Sequence, residues 1–349
     1  MPTFYSSKDA GLPAFYISTT ASLQRFTNYK LIFKACLVSG YGSRAAAGWT
    51  LVDEGDQFLV LRNAAGNYFT ISSAYYVIST GLAYHGAFRV FLHATYTGMG
   101  STGIPQGQGV VSGTSGAATL PVYFGSDLLY WNANTRWVLL ADEQTFIFTM
   151  LPFTGNASAI TGTNIDSTGS AGTLYVGADL GGNHIAAGGY RAATPNTHQL
   201  TLYFDRVALT TLRNPKTGLL VDTGGIAAWL DGVINVASAP TTTHTNTPGI
   251  SVLASDLTEL PTLEMHQLRW LAAGQPQPGL RGMRRENLLI RHYANPIRRL
   301  LEGSLTTTDY TGDSILNLNP LSDGYCYLPL QAAVGGRGSA IITDNPAYW

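Results

Sequence analysis

Adjacent carboxylates are the residues of this 349-residue sequence whose types and spacing could support acid–base chemistry. They occur at Asp53 and Glu54, followed by Asp56, and at Asp142 and Glu143. Hydrolysis of a glycosidic bond requires two carboxyl groups about 5–10 Å apart across a cleft. Both groups lie in segments with the composition of turns, where acidic residues are common, and no GxSxG motif supplies a serine nucleophile. The sequence therefore predicts no catalytic residue, and a protein that is not an enzyme.

A glycine pattern at residues 98–103 matches the GxGxxG loop of dinucleotide-binding sites and follows a predicted strand. Such a site also needs a helix directly after the loop and an acidic residue about 20 positions later. Pro105 and four further glycines up to Gly116 are incompatible with that helix. We therefore expect a loop here and no bound dinucleotide.

Histidine, cysteine and aspartate side chains are the candidates for metal ligands. The seven histidines lack the spacing of a zinc motif and are expected at polar surface positions, although His85 and His93 could meet on neighbouring strands. Cys36 and Cys326 lie among apolar residues and are predicted to be buried thiols, with a disulfide left open. The oxygen-rich segment 309–313 lacks EF-hand spacing and is predicted to be a turn. We expect no metal and no cofactor.

Arginine is concentrated towards the C-terminal end, where residues 269–299 hold seven of the twenty basic side chains and Glu286 opposes them. This asymmetry predicts a contact surface for an acidic neighbouring subunit, with nucleic acid the less favoured partner. Solvated strand edges, where charge discourages aggregation, are the alternative interpretation. The candidate subunit-contact residues are Arg281, Arg284, Arg285, Arg298, Arg299, Tyr348 and Trp349.

Short alternating segments separated by Gly, Asn and Asp turns indicate a dozen or more strands and no long amphipathic helix. We therefore predict an all-β or β-dominated fold, sandwich-like or barrel-like, with long Gly/Ser/Thr-rich loops and few short helices. The segments 57–71 and 136–151 are predicted hairpins, and the second would bring Trp137 close to Phe146.

A low-complexity segment divides the sequence into two parts. Residues 154–172 are almost all Thr, Ser, Gly, Asn and Ala, which is typical of a loop or linker. We predict an N-terminal β domain over 1–153 and a C-terminal β domain with the arginine-rich segment over 173–349. Within the second part, residues 262–271 fit either a strand or a helix.

Residues 34–49 form the most distinctive segment, a nearly uncharged stretch followed by a glycine-spaced turn and a run of small residues ending at Trp49. The apolar part, 31–39, fits either a buried strand or a short apolar helix. Gly40 and Gly42 supply backbone freedom for a tight turn. We expect this segment to pack in the core.

The composition restricts the classes of partner. Charged residues make up 12%, about half of their usual share, whereas Tyr (19) and Gly (39) are abundant. Low surface charge favours a protein partly covered by other subunits. The net charge of −1 gives no general attraction to nucleic acid or membranes. No signal peptide and no apolar run of about 18 residues is visible, so we expect a soluble product made in the cytoplasm.

The segment ACLVSGYGSRAAAGW, residues 35–49, resembles a segment near the start of virion structural proteins of tailed bacteriophages. Residues 137–146, WVLLADEQTF, resemble a second segment of these proteins. An Arg-led strand with a Gly-rich loop at 89–105, an Arg-Gly pair at 281–282 and an aromatic end at 344–349 are similar in the same order.

The resemblance implies a non-enzymatic virion component, present in several copies and assembling through protein–protein contacts. Its partners would be copies of itself and other virion proteins, such as major capsid, neck or tail subunits, in a particle built in the cytoplasm of a bacterial host. Capsid decoration, a minor capsid role, and a ring or collar at the neck or tail all stay open. The alternatives are a tail-associated host-recognition protein that binds glycans through exposed aromatic rings, and a glycan-degrading enzyme with a carboxylate pair in a cleft.

Overall fold

The protein is dominated by antiparallel strands, as the sequence predicts. The computed structural model describes residues 1–7, 9–15, 22–73, 88–112, 122–124, 137–150, 172–190, 208–221, 228–230, 265–272, 275–286, 325–329 and 340–349. The strands are β1 Thr3–Ser6, β2 Thr50–Gly55, β3 Phe58–Arg62, β4 Tyr68–Ser73, β5 Phe88–His93, β6 Gly98–Met99, β7 Pro105–Gln106, β8 Val122–Phe124, β9 Trp137–Ala141, β10 Thr145–Met150, β11 Gly172–Ala178, β12 His184–Tyr190, β13 Ala208–Thr211, β14 Ala228–Leu230, β15 Met265–Ala272, β16 Gln275–Glu286, β17 Tyr327–Pro329 and β18 Ala340–Thr343. Helix α1, Ser22–Phe33, continues into a π-helical turn, Lys34–Ser39, and Pro346–Tyr348 form a short 3-10 turn.

Two main sheets are built from these strands. Among the described residues, a large sheet has eleven strands in the order β1-β9-β10-β11-β12-β8-β5-β4-β3-β2, with β13 paired to β12, and a small sheet has five in the order β14-β15-β16-β18-β17. A separate hairpin pairs β6 with β7. The segment 262–271, which fits either a strand or a helix by sequence, contributes β15.

The apolar segment 31–39 is helical. From Phe26 to Leu37 most residues of α1 and the π-helical turn are buried, and the partly exposed ones, Thr27, Leu31 and Lys34, form a narrow stripe that continues to Val38. Because apolar Leu31 and Val38 share this stripe with polar Thr27 and Lys34, the 3.6-residue alternation that identifies amphipathic helices is weak, which is why strand and helix could not be separated by sequence. The helix ends at Gly40, whose φ of 72° is in the left-handed region that favours glycine.

The large sheet curls around this helix. The ring of Phe33 lies 6.3 Å from that of Phe69 on β4 and 5.3 Å from that of Phe146 on β10, although four strands separate β4 from β10 in the described sheet. Phe69 and Phe146 are themselves 5.3 Å apart. The ring of Tyr29 fills the space between, 4.9 Å from Phe88 on β5. The concave face of the sheet and the helix therefore form one aromatic core.

A second core lies on the opposite face of the large sheet, against the small sheet. Side chains of the large sheet such as Leu140, Ile147 and Tyr175 pack there with Trp270 and Met283 of the small sheet. The molecule thus has three layers: helix, large sheet and small sheet. Cys36 is buried in the first core and Cys326 in the second, so the prediction of two buried thiols is confirmed.

The predicted division at 154–172 does not coincide with a division between sheets. Strands β10 and β11 lie on either side of it and pair directly, with Phe146 opposite Val176. Strands β11 to β13 therefore complete the large sheet, and the small sheet is formed by strands between residues 228 and 343. Apart from Gly172, the predicted linker lies outside the described residues.

The two predicted hairpins are present, but one of their expected contacts is wrong. Strands β3 and β4 pair across the turn at 64–67, and β9 pairs with β10 across the turn at 142–144. In the second hairpin Trp137 is opposite Met150, whereas Phe146 is opposite Ala141. Trp137 begins β9, so it meets the end of β10 and its ring lies 6.2 Å from that of Phe148.

Candidate functional site

Trp49 joins the helix to the turn between β9 and β10. Its indole Nε1 donates a hydrogen bond to the carbonyl oxygen of Asp142 at 2.9 Å, and its ring lies 5.4 Å from that of Phe146. The backbone N–H groups of Gly48 and Trp49 donate to the carbonyl of Leu37 in the π-helical turn. The segment after the helix therefore folds back on the helix end and carries the tryptophan into the core.

Asp142 is bonded through both carboxylate oxygens. Oδ1 accepts the backbone N–H groups of Gln144 and Thr145, which fixes the turn, and Oδ2 accepts from Nη1 of Arg281 on β16 at 2.9 Å. The side chains of Asp142 and Arg281 are 7% and 18% exposed. Burial raises the pKa of the Asp142 carboxyl, and the two N–H groups and the arginine charge oppose that effect. Asp142 therefore has a structural role, and Glu143 beside it is exposed.

The other carboxylate pair lies in a strand and not in the predicted turn. Asp53 and Glu54 belong to β2, where the register with β3 shifts between Leu51 and Asp53. Glu54 forms ion pairs with Lys34 at 2.7 Å and Lys30 at 3.3 Å, whereas Asp53 accepts a hydrogen bond from a tyrosine of another segment. The two carboxylates therefore bind different partners and do not face each other across a cleft.

The C-terminal residues dock on their own chain. The indole of Trp349 lies against the Cα of Gly282 and donates from Nε1 to the carbonyl of Thr343 at 2.7 Å. The guanidinium of Arg284 lies 4.1 Å from the ring centroid of Tyr348. Both aromatic side chains stay partly exposed.

The remaining candidate contact residues are placed as follows. Arg285 lies in β16 next to Arg284, whereas Arg298 and Arg299 lie outside the described residues. Arg281 and Arg284, with Tyr348 and Trp349, thus have contacts within the chain, and their role in subunit contacts stays a prediction.

Two histidines are buried, so their predicted surface position is wrong. His93 bonds the hydroxyl of Thr70 at 2.7 Å and the carbonyl of Thr95 at 3.0 Å, and burial lowers its pKa to about 4. His184 at the start of β12 is 4% exposed, and burial, with His93 nearby, lowers its pKa to about 3. Both rings are neutral at physiological pH. His85, the predicted neighbour of His93, lies outside the described residues.

Stacked rings extend from His93 to the surface and define an aromatic column, Tyr68, His93 and Tyr96. The rings of Tyr68 and His93 are 5.3 Å apart and nearly parallel, and Tyr96 lies 5.7 Å from His93. The hydroxyl of Tyr96 donates to Oδ2 of Asp53 at 2.5 Å, and the guanidinium of Arg62 lies 5.8 Å from the centroid of Tyr68. Sequence reasoning missed the column, although β4 places Tyr68 directly opposite His93 of β5.

The GxGxxG segment was predicted to be a loop, and the structure shows that it is the turn of a short hairpin. Strands β6 and β7 pair across it, and Arg89 donates from Nη2 to the carbonyls of Thr102 and Gly103 at 2.8 and 3.0 Å. A phosphate site would need N–H groups pointing to the ligand, whereas in this loop the carbonyls of Thr102 and Gly103 accept hydrogen bonds from the guanidinium of Arg89.

No protein family, curated protein or solved structure matches this chain. Within the described ranges, no three His, Cys, Asp or Glu side chains come together in a way that could hold a metal ion. None of the described helices is long and apolar enough to cross a membrane.

Proposed function

We propose that this protein is a non-enzymatic structural component of a tailed-phage virion, present in several copies and assembled through protein–protein contacts. The proposal rests on the resemblance of five separate segments to phage virion proteins. One observation supports it beyond the sequence: residues of those segments are bonded to one another. Trp49 of the first segment donates to Asp142 of the second, and Asp142 pairs with Arg281 of the fourth.

Of the other two segments, the third is stabilised by a contact within itself and the fifth contacts the fourth. Arg89 and the loop carbonyls that it binds both belong to the third segment, residues 89–105. Gly282 of the fourth segment lies under Trp349 of the fifth. Segments that resemble one family and contact each other across three layers are those expected to preserve a shared scaffold. A particle subunit needs such a rigid body so that its outer surfaces can be repeated in a closed array.

Mass spectrometry and microscopy of purified phage particles test this function. The protein should be found in intact particles at a fixed copy number, and a labelled antibody should mark one location. Several hundred copies would indicate capsid decoration, and about three to twelve would indicate a ring at the neck or tail. Absence from intact particles, with the protein recovered as a stable monomer from the lysate, would contradict the proposal.

A tail-associated host-recognition protein is the second candidate, and the aromatic column favours it. Half-exposed Tyr68 and Tyr96 flank His93, with the carboxylate of Asp53 beside Tyr96. Flat rings with a nearby hydrogen-bonding group suit the apolar face and the hydroxyls of a sugar. Binding of purified protein to host polysaccharide, compared with a Tyr68→Ala variant, tests this candidate. Equal binding by both proteins would show that Tyr68 of the aromatic column does not contribute to polysaccharide binding.

A further inference from the structure

Three turns meet at one end of the large sheet and enclose a pocket of about 110 Å³. Asn67 comes from the turn between β3 and β4, Asn183 from the turn between β11 and β12, and Asn214 from the segment after β13. His184 also lines this pocket, and Arg213 is its exposed charged side chain. The residues come from three separate parts of the sequence, so the pocket exists only in the folded chain.

His184 is a buried side chain of this pocket without a hydrogen-bond partner among the described residues. By distance and angle, neither ring nitrogen makes a hydrogen bond within the described part of the chain, although the backbone of Tyr68 lies close enough to the ring to oppose the fall in its pKa. A buried polar group left without a partner destabilises the folded chain, because it has lost its hydrogen bonds to water. The neutral ring offers one N–H donor and one nitrogen acceptor, so a ligand that both accepts and donates would satisfy it.

The amides around His184 are similarly available. Asp179 accepts both the backbone N–H and the Nδ2 of Asn183, at 2.8 and 2.9 Å, which orients this amide and leaves Oδ1 to accept another hydrogen bond. Asn67 is bonded through its backbone N–H to Asn63, and its side-chain amide has no bond to another described residue. Donors and acceptors are therefore mixed in the pocket.

We propose that this pocket binds the hydroxyl groups of a saccharide. A hydroxyl group donates and accepts at once, as the neutral His184 and the asparagine amides require. A cation would be repelled by Arg213. An anion would be attracted by Arg213, but a carboxylate only accepts hydrogen bonds and could not donate to the acceptor nitrogen of His184 or to Oδ1 of Asn183. The volume equals between three and four waters at about 30 Å³ each, which suits the hydroxyl-bearing edge of one sugar ring.

The pocket adjoins the aromatic column, because Asn67 directly precedes Tyr68. A sugar seated by its hydroxyls at Asn67 and His184 would extend a glycan along the surface that carries Tyr68. This inference rests on the second proposed function and is independent of the first. It assigns the recognition of one sugar unit to the asparagines and His184.

Ligand-observed NMR on the full-length protein tests the inference, with methyl glycosides of glucose, galactose and N-acetylglucosamine, and with glucuronate and inorganic phosphate as charged probes. At least one neutral glycoside should bind. Asn67→Ala should weaken that binding by tenfold or more without changing the melting temperature, and His184→Gln should do the same where it folds. Gln108→Ala, which removes an exposed amide outside the pocket, should bind as the unmodified protein does.

Three outcomes would overturn the inference, and they separate it from the host-recognition function. Binding of phosphate or glucuronate without any neutral glycoside would make this an anion site. If Asn67→Ala and the unmodified protein bind the glycoside and the host polysaccharide equally well, the sugar binds outside this pocket, and the host-recognition function stands. If the unmodified protein binds neither the glycoside nor the polysaccharide, both the inference about the pocket and the host-recognition function are contradicted.

Discussion

Asp142 connects three parts of the molecule at the residue scale. Its carbonyl accepts a hydrogen bond from the indole of Trp49. Its Oδ1 accepts from the backbone of the turn between β9 and β10, and its Oδ2 accepts from Arg281 of the small sheet. Removal of one member of a buried ion pair leaves the other charge uncompensated, which costs more than the pair itself contributes. The helix, the large sheet and the small sheet therefore depend on one aspartate.

A double-mutant cycle measures this connection. Asp142→Asn keeps an acceptor for the turn but removes the charge, and Arg281→Met removes the guanidinium but keeps the length of the side chain. Urea unfolding of both single variants and of the double variant should give a coupling energy of about 1–3 kcal/mol. Strictly additive effects would mean that the pair at 2.9 Å contributes nothing to stability.

Gly282 carries two constraints that can be separated by a matched control. Its φ is 64°, and a Cβ at this position would overlap the indole of Trp349. Gly218 has a φ of 71° with no atom within 4 Å of its Cβ position, so Gly218→Ala measures the backbone cost alone, about 1–2 kcal/mol. Gly282→Ala should lower the free energy of unfolding at least twice as much. Equal losses would mean that Trp349 can leave this site without cost.

His93 and His184 make the fold sensitive to acid. Their native pKa values of about 4 and about 3 lie below the unfolded value near 6.5, so the unfolded chain binds protons first as the pH falls. Their stabilising contribution is complete above pH 6.5 and is lost towards pH 4 and below, by about 1.4 kcal/mol per pH unit for each histidine.

The comparison of pH 7 with pH 5 tests the contribution of His93. His93→Gln retains a hydrogen-bonding group for Thr70 but cannot titrate. In urea unfolding, its loss of stability between the two pH values should be smaller than that of the unmodified protein by about 2 kcal/mol. An identical loss in both proteins would show that the His93 ring takes up its proton in the folded state as readily as in the unfolded chain.

At the scale of elements, the helix is the centre about which the large sheet curls. Phe33→Ala should lower the free energy of unfolding by about 3–5 kcal/mol, because this fully buried ring contacts β4, β5 and β10. Leu51→Ala on edge strand β2, where the side chain is 37% exposed, is the control and should cost less than about 0.5 kcal/mol. Similar small losses for both would contradict a central role for the helix.

Local patterns predicted some elements and not others. The hairpin of β3 and β4 could be predicted from the sequence, because its two strands are close in sequence and alternating residues flank a short turn containing Gly66. The helical state of residues 31–39 could not be predicted, because the partly exposed stripe of this helix includes apolar Leu31 and Val38, so the alternation of polar and apolar residues is weak. The pairing of β10 with β11 across 154–172 is likewise a long-range contact with no local signal.

The same limit applies to the candidate sites. The sequence predicted Asp142 to be a turn residue. Its pairing with Arg281 could not be predicted, because the two residues are 139 positions apart. His93 and His184 were assigned to the surface by residue type, and the fold buries them because β5 and β12 bring them together. The three asparagines of the pocket lie in separate turns, and isolated asparagines in turns are ordinary.

At the scale of the whole molecule, the C-terminal residues pack on β16 of the small sheet and are also candidates for subunit contact. Deleting residues 347–349 removes the ring over Gly282 and the cation–π contact at Arg284. We expect the free energy of unfolding to fall by about 1–3 kcal/mol, measured by urea unfolding. Ala347→Ser, at an exposed position, is the control and should be neutral. Unchanged stability with lost incorporation into particles would assign these residues to a neighbouring subunit instead.

The long-range bonds of Trp49 and Asp142 have a consequence during translation. Trp49 is synthesised 93 residues before Asp142, and Asp142 is synthesised 139 residues before Arg281. At about 5–20 residues per second, a ribosome needs on the order of 5–20 s and then 7–28 s to deliver these partners. Throughout the first interval α1 has no complete sheet around it, so the nascent chain lacks the β10 residues Phe146 and Phe148 that cover the rings of Tyr29 and Phe33 in the folded protein. The yield of soluble protein therefore depends on how well this helix is shielded while the ribosome completes the sheet.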